Sequence, residues 1–197
     1  MENLLGFIFA SFALTGSPGP NTLSLAATGA AFGPRRSLGF MIGLLIGMVL
    51  VMAITATGAM SLFLALPGVK SAAVLLAFAY FVYLAFRIAA APPLAEGAGE
   101  LQAPSFMTGI GQSLVNPKAY AAMAALFSGF SLIREQPGID VAVKTGLLVG
   151  IIAMVNILWL WSGALLTRFF RDPRANRAIN LAFAALLIAS VAMAFVM

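Results

Sequence analysis

The five residues Ser17-Pro18-Gly19-Pro20-Asn21 interrupt an apolar stretch, residues 3–32, that is long enough to cross a bilayer as one helix. Two prolines and a glycine remove two backbone donors and crowd the carbonyls of the preceding turn, so a helix through them must kink or open. Carbonyl and N–H groups freed inside hydrocarbon are tolerated only where protein covers them or a wet cavity takes them up. A second interruption, Asn116-Pro117-Lys118, falls midway through another long apolar stretch, residues 105–132. Two broken helices, one in each half of a chain, point to the substrate site of a transporter.

Charge is too scarce for a water-soluble domain. Of 197 residues, 62% are hydrophobic and 9% charged, with a mean hydropathy of +1.04. A soluble domain of this size could not cover its surface with so few charged groups. The expected class is an all-α polytopic membrane protein with the lipid bilayer as its solvent. The 11 basic residues, against 6 acidic ones, flank the apolar runs singly or in short clusters. That pattern is a topology signal and not a nucleic-acid surface. Cysteine and histidine are both missing, which excludes disulfides, thiol redox chemistry and the usual soft metal ligands, and no cofactor is indicated. Met1-Glu2-Asn3 lacks the basic start of a signal peptide, so the first apolar run is expected to remain as a membrane segment.

Six stretches of spanning length can be drawn: 3–32, 37–66, 69–90, 105–132, 141–167 and 178–197. Short turns at Gly33-Pro34-Arg35-Arg36 and Pro67-Gly68 separate the first three, and loops 133–140 and 168–177 separate the last three. The polar interval between the triplets divides the chain into a first repeat, 1–91, a linker, 92–104, and a second repeat, 105–197. Each triplet opens with an interrupted stretch and continues into a glycine-spaced one. Pro18 and Pro117 are 99 positions apart, and Gly43-Leu44-Leu45-Ile46-Gly47 is echoed 103 positions later by Gly146-Leu147-Leu148-Val149-Gly150. Three segments per half invert the second half in the membrane. The predicted fold is therefore six transmembrane helices as two inverted three-helix repeats, with helices 1 and 4 broken mid-membrane. Seven arginines, at 35, 36, 87, 168, 171, 174 and 177, fall on one side, against Lys70, Arg134 and Lys144 on the other. This asymmetry puts the linker in the cytoplasm and both termini outside. The small-residue stripe Gly39, Gly43, Gly47, and the pair Gly146 and Gly150, read as close helix packing within one chain or between two copies, which is compatible with a homodimer.

Lys118 is the most informative side chain. A cation in the middle of a membrane helix costs about 2.5–3.5 kcal/mol on insertion scales, so such residues face a bundle interior or water. The alternative is a shorter segment with Lys118 snorkelling to the interface. Asn116 before Pro117 is a helix-start signature, an Asn cap followed by proline at the first helical position. The half-helix from Pro117 would thus aim its unpaired N–H groups and the Lys118 charge at the membrane midplane, a site for a carboxylate. In the first stretch, Asn21 opens the polar series Asn21, Thr22, Ser24, Thr28. For these, as for Gln112, Ser113 and Asn156, helix–helix hydrogen bonding is the simpler reading of any one alone. Tyr80, Tyr83, Trp159 and Trp161 fit interfacial anchors, although the two tyrosines lie deep enough to line a cavity. All six carboxylates, Glu2, Glu96, Glu100, Glu135, Asp140 and Asp172, fall in expected loops or termini. That disfavours dibasic substrates and divalent cations, and leaves no buried acid to relay a proton.

The Ser17–Asn21 motif resembles the PGP motif of the LysE/RhtB family of amino-acid exporters, and Asn116-Pro117-Lys118 resembles that family's NPK motif. The run Ala79-Tyr80-Phe81-Val82-Tyr83-Leu84 with Arg87 is similar to its third segment. The resemblance covers essentially the whole chain. It implies export of amino acids or related metabolites across a bacterial inner membrane, driven by the electrochemical gradient. The expected reading is a secondary-active exporter of neutral amino acids or close derivatives, working by alternating access and not an enzyme. Its expected substrate-binding residues are Pro18, Gly19, Pro20, Asn21, Asn116, Pro117 and Lys118. A passive pore for small anionic or zwitterionic metabolites is the alternative, because broken helices and a basic constriction also line channels. An intramembrane enzyme would have only a Ser–Lys pair built on Lys118 to work with.

Overall fold

A computed structural model describes residues 4–58, 68–90, 103–165 and 172–196. Most of the expected linker, the Pro67 side of the second turn, and Arg168 and Arg171 of the basic loop lie outside the described residues, as do the side chains of Lys70 and Arg87. The described chain is all helical: α1 Leu4–Gly16, α2 Pro20–Ala56, α3 Val69–Ala89, α4 Phe106–Leu114, α5 Pro117–Gly129, α6 Pro137–Leu165 and α7 Pro173–Val196.

Four of these helices begin at a proline, because proline's fixed φ suits the first helical position and its missing N–H would have no partner there anyway. At three of them the residue before the proline supplies the stop or the cap. Asn116 Oδ1 accepts from the Lys118 N–H at 3.1 Å at the start of α5. Asp172 Oδ1 accepts from the N–H groups of Arg174 and Ala175 at 2.8 and 2.9 Å at the start of α7. At the start of α2 the Gly19 N–H donates to Thr22 Oγ1 at 2.9 Å. Each is local chemistry within a few residues.

α2 would be about 55 Å long if straight, well beyond a hydrocarbon core of about 30 Å. It is not straight. Gly33 has φ 76° and ψ 164°, a conformation that belongs almost solely to glycine. The Ser37 hydroxyl donates to both the Gly33 carbonyl, at 2.8 Å, and the Thr28 carbonyl, at 3.2 Å. In a straight helix Ser37 and Thr28 would be about 13 Å apart along the axis, so the two halves, 20–32 and 34–56, fold back on one another. Leu25 from one half packs with Phe40 and Leu44 from the other, and Leu160 closes the cluster. The expected four-residue turn is thus a single non-helical glycine, with helix resuming at Pro34.

α2 packs against α6 and α4, α1 against α6 and α5, and α3 against α7. The main apolar core joins Phe7, Met48, Met52, Met123, Leu126, Leu148 and Ile152. A second forms around Leu23, Phe81 and Leu187. Backbones approach closely where glycines allow it. A methyl group built on Gly163 would overlap the Ala26 carbonyl oxygen, and one on Gly43 would overlap that of Phe106. Gly47 likewise faces Ser113 and Ile110, whereas Gly39, Gly146 and Gly150 meet nothing within 4 Å among the described residues. Among those residues the expected packing role holds for Gly43 and Gly47.

Beyond these cores, large apolar side chains lie on the outside while several polar ones are buried. Phe9 is 72% exposed, Leu76 71% and Leu165 76%, while Gln112, Ser113, Asn116 and Asn156 are buried. Two helices, Pro20–Ala56 and Pro137–Leu165, are long and apolar enough to cross a membrane among the described residues.

One expectation is corrected. Asp140 is not a loop carboxylate: α6 starts at Pro137, and Asp140 is buried in its first turn. Its Oδ2 pairs with Lys144 Nζ at 2.7 Å, and its Oδ1 accepts from the N–H groups of Leu132 and Ile133 at 2.6 and 2.8 Å. Lys144 also donates to the carbonyls of Phe127 and Phe130, so it closes the end of α5 and is no free topology charge. The four-residue spacing puts both on one helix face, and the irregular stretch 130–136 wraps over them.

Candidate binding site

The chain leaves helical geometry between Gly16 and Pro20 and again between Leu114 and Pro117. The carbonyls freed at the first break have identifiable partners. Gly16 accepts from the Trp159 indole N–H at 3.0 Å. Ser17 and Pro18 accept from Lys118 Nζ at 2.7 and 3.0 Å, and the same ammonium donates to Ser17 Oγ at 2.8 Å. Gly19 accepts from the Leu23 N–H at 2.9 Å. Pro20 accepts from Ser24 Oγ at 2.7 Å and from Gln112 Nε2 at 3.0 Å. An ammonium has three N–H donors, and Lys118 directs all three at the first break.

The second break is tied back to the first by side chains. Asn116 Nδ2 donates to Asn21 Oδ1 at 3.0 Å, and Asn21 Nδ2 donates to Ser113 Oγ at 2.9 Å. Ser113 in turn donates to the Leu44 carbonyl at 2.9 Å. Gln112 also reaches Ser24 Oγ. Gln112 and Ser113 thus make the helix–helix hydrogen bonds expected of them. Asn156 does not: its Nδ2 is buried with no hydrogen-bond partner among the described residues.

Between the breaks lies a cavity of about 40 Å³. Thr15, Asn21, Thr22, Asn116, Lys118 and Asn156 form its polar lining, with Gly19 and Pro20, and Leu14, Met48, Ala119, Ala122 and Ile152 form its apolar wall. The first turns of α2 and α5 both border it, so two positive helix ends and one ammonium converge there. No lining residue is acidic. Chemically, the arrangement can attract an anionic group beside a small apolar one. Its volume is far below the roughly 300 Å³ of small-ligand pockets. No cluster of three or more groups able to hold a metal ion occurs among the described residues.

Of the residues expected at the site, Gly19, Pro20, Asn21, Asn116 and Lys118 line the cavity. Pro18 and Pro117 do not, and act by shaping backbone. Ala122 was legible in principle, one turn beyond Lys118 on the same helix face. Met48 and Ile152 carry no signal in the sequence, because each reads as ordinary core. Tyr80 and Tyr83 are not among the lining residues.

A helical membrane chain whose two helix breaks border a small cavity with a polar and an apolar wall has the build of a membrane translocator. The profile of the LysE type translocator matches residues 11–197, and the chain belongs to that family. It is 30% identical over 174 residues to the cysteine/O-acetylserine efflux protein of Escherichia coli (strain K12), covering 87% of each chain. It is 28% identical over 173 residues to the protein of the same name from Salmonella typhimurium, again covering 87% of each. No solved structure matches.

Proposed function

We propose that the protein is a secondary-active exporter of neutral amino acids or close derivatives across the bacterial inner membrane. The observation that carries this reading is the convergence of Lys118 and the starts of α2 and α5 on a cavity with no acidic lining residue. A carboxylate finds three positive partners there, while a cationic side chain finds no counter-ion. Family membership and relatives named for cysteine and O-acetylserine efflux point the same way.

The mechanism follows from the hydrogen bonds of Lys118. In the closed form its ammonium holds the Ser17 and Pro18 carbonyls. A substrate carboxylate is a stronger acceptor than a carbonyl and displaces one of them, which loosens the joint between α1 and α2. Occupancy is thereby coupled to the break. Two inverted three-helix halves, 1–91 and 105–197, rock about this chamber and expose it to each side in turn, with the 92–104 linker cytoplasmic and both termini periplasmic. Gly146 and Gly150, which meet nothing within 4 Å among the described residues, are open to lipid or to a second copy in a homodimer.

The test is efflux from proteoliposomes preloaded with labelled cysteine, O-acetylserine and a panel of neutral and basic amino acids, with and without an imposed potential or pH gradient. Saturable efflux of a neutral amino acid, with counterflow, and its loss in Lys118→Ala at equal protein level are expected. Linear, non-saturable flux without counterflow would make the protein a pore. Wild-type rates in Lys118→Ala would remove the proposed carboxylate site.

A further inference from the structure

Asn156 sits on the face of α6 that passes the first break. Ile152, one turn earlier, shares the cavity wall, and Trp159, one turn later, donates to the Gly16 carbonyl. Asn156 is 4% exposed and lines the cavity. The other polar side chains there all have partners for their donors. Thr15 Oγ1 donates to the Ser11 carbonyl, Thr22 Oγ1 to that of Gly19, Asn21 to Ser113, Asn116 to Asn21, and Lys118 to Ser17 and Pro18. The Asn156 Nδ2 group alone has none.

A buried amide N–H without a partner is costly, and native interiors leave few of them. An apolar side chain on α6 would avoid that cost. Helix–helix hydrogen bonding does not account for this amide N–H, which has no partner among the described residues. Asn156 lines a cavity that admits a water.

We infer that Asn156 is a further ligand-binding residue, donating its amide N–H to a carboxylate oxygen of a small zwitterionic solute. This deepens the exporter reading and rests on it. The order of events follows from the partners. Lys118 has no uncommitted proton in the closed form, so an entering carboxylate meets Asn156 first, and Lys118 joins once it releases a carbonyl of the first break.

The test compares wild type, Asn156→Leu and Asn156→Ala in proteoliposomes loaded with the neutral amino acid that wild type exports best. KM and maximal rate are measured, together with the thermal midpoint in detergent with and without that amino acid. The two variants change cavity volume in opposite directions but both lack the donor. A lost hydrogen bond to a carboxylate raises KM about tenfold or more in both, and lowers the stabilisation by the amino acid in both. Unchanged KM in either variant, or shifts of opposite sign that follow volume, would overturn the assignment while leaving the exporter reading intact. Should wild type export none of the panel, the exporter reading fails, and the carboxylate ligand of Asn156 falls with it. If Asn156→Ala does not fold, Asn156→Leu, which removes a buried unpaired donor, carries the comparison alone.

Discussion

Lys118 Nζ donates to the Ser17 carbonyl oxygen at 2.7 Å across 101 positions of sequence, and this bond ties the two helix breaks together. The contact is electrostatically apt. The carbonyls it collects form the negative end of α1, while Lys118 stands at the positive end of α5, where a cation is disfavoured. The α1 terminus offsets that penalty. Gly19 leaves the room: a methyl group there would lie 2.8 Å from Lys118 Cδ and 2.9 Å from Nζ.

Replacing Lys118 by methionine keeps an unbranched side chain, one atom shorter, and removes its donors. The Ser17 and Pro18 carbonyls are then left without this partner. Stability falls by roughly 1–3 kcal/mol, read as a lower thermal midpoint in detergent, and saturable efflux is lost. Retained stability would mean that water replaces the ammonium at the break.

Asn116→Ala removes both the cap on the Lys118 N–H and the link to Asn21. A cost of about 1–2 kcal/mol is expected. Asn116→Asp caps equally well but cannot donate to Asn21, so it recovers part of the stability and not the transport rate. Melting curves and initial efflux rates of the two variants separate the roles.

Gly163→Ala drives a methyl group into the Ala26 carbonyl and separates α2 from α6, costing about 1–3 kcal/mol. Gly146→Ala has open space around it and gains up to about 1 kcal/mol of helix propensity. Thermal midpoints moving in opposite directions are the expected result. A loss at Gly146 accompanied by a change in oligomer size would instead show that copies pack on that face.

Asp140→Ala leaves Lys144 buried and unpaired, and strips the Leu132 and Ile133 N–H groups of their acceptor. The expected cost is about 3–5 kcal/mol, seen as poor yield and a low thermal midpoint. The Asp140→Leu, Lys144→Met double variant should be milder than the sum of its single changes, because neither charge is stranded. Additive losses would show that the two groups act independently.

The sequence by itself determined the features whose cause is local. Proline removes its own N–H and crowds the turn before it, so the breaks at Pro18–Pro20 and Pro117 and the helix starts at Pro20, Pro117, Pro137 and Pro173 follow from near neighbours alone. The Asn116 cap is equally local, and the scarcity of charge sets the apolar solvent. The tertiary structure decided where side chains go. Lys118 reads as a free cation until the fold brings the Ser17 and Pro18 carbonyls to it. Asp140 reads as a loop acid until residues 130–136 wrap over it and Lys144 meets it. Gly146 and Gly163 are the same residue on one helix, yet only Gly163 faces the Ala26 backbone. Asn156 carries no mark that separates it from Gln112 or Ser113. The physical reason is range: backbone geometry is set within a turn or two, whereas the partner of a buried polar group lies on another helix, at a distance along the chain that no local pattern encodes.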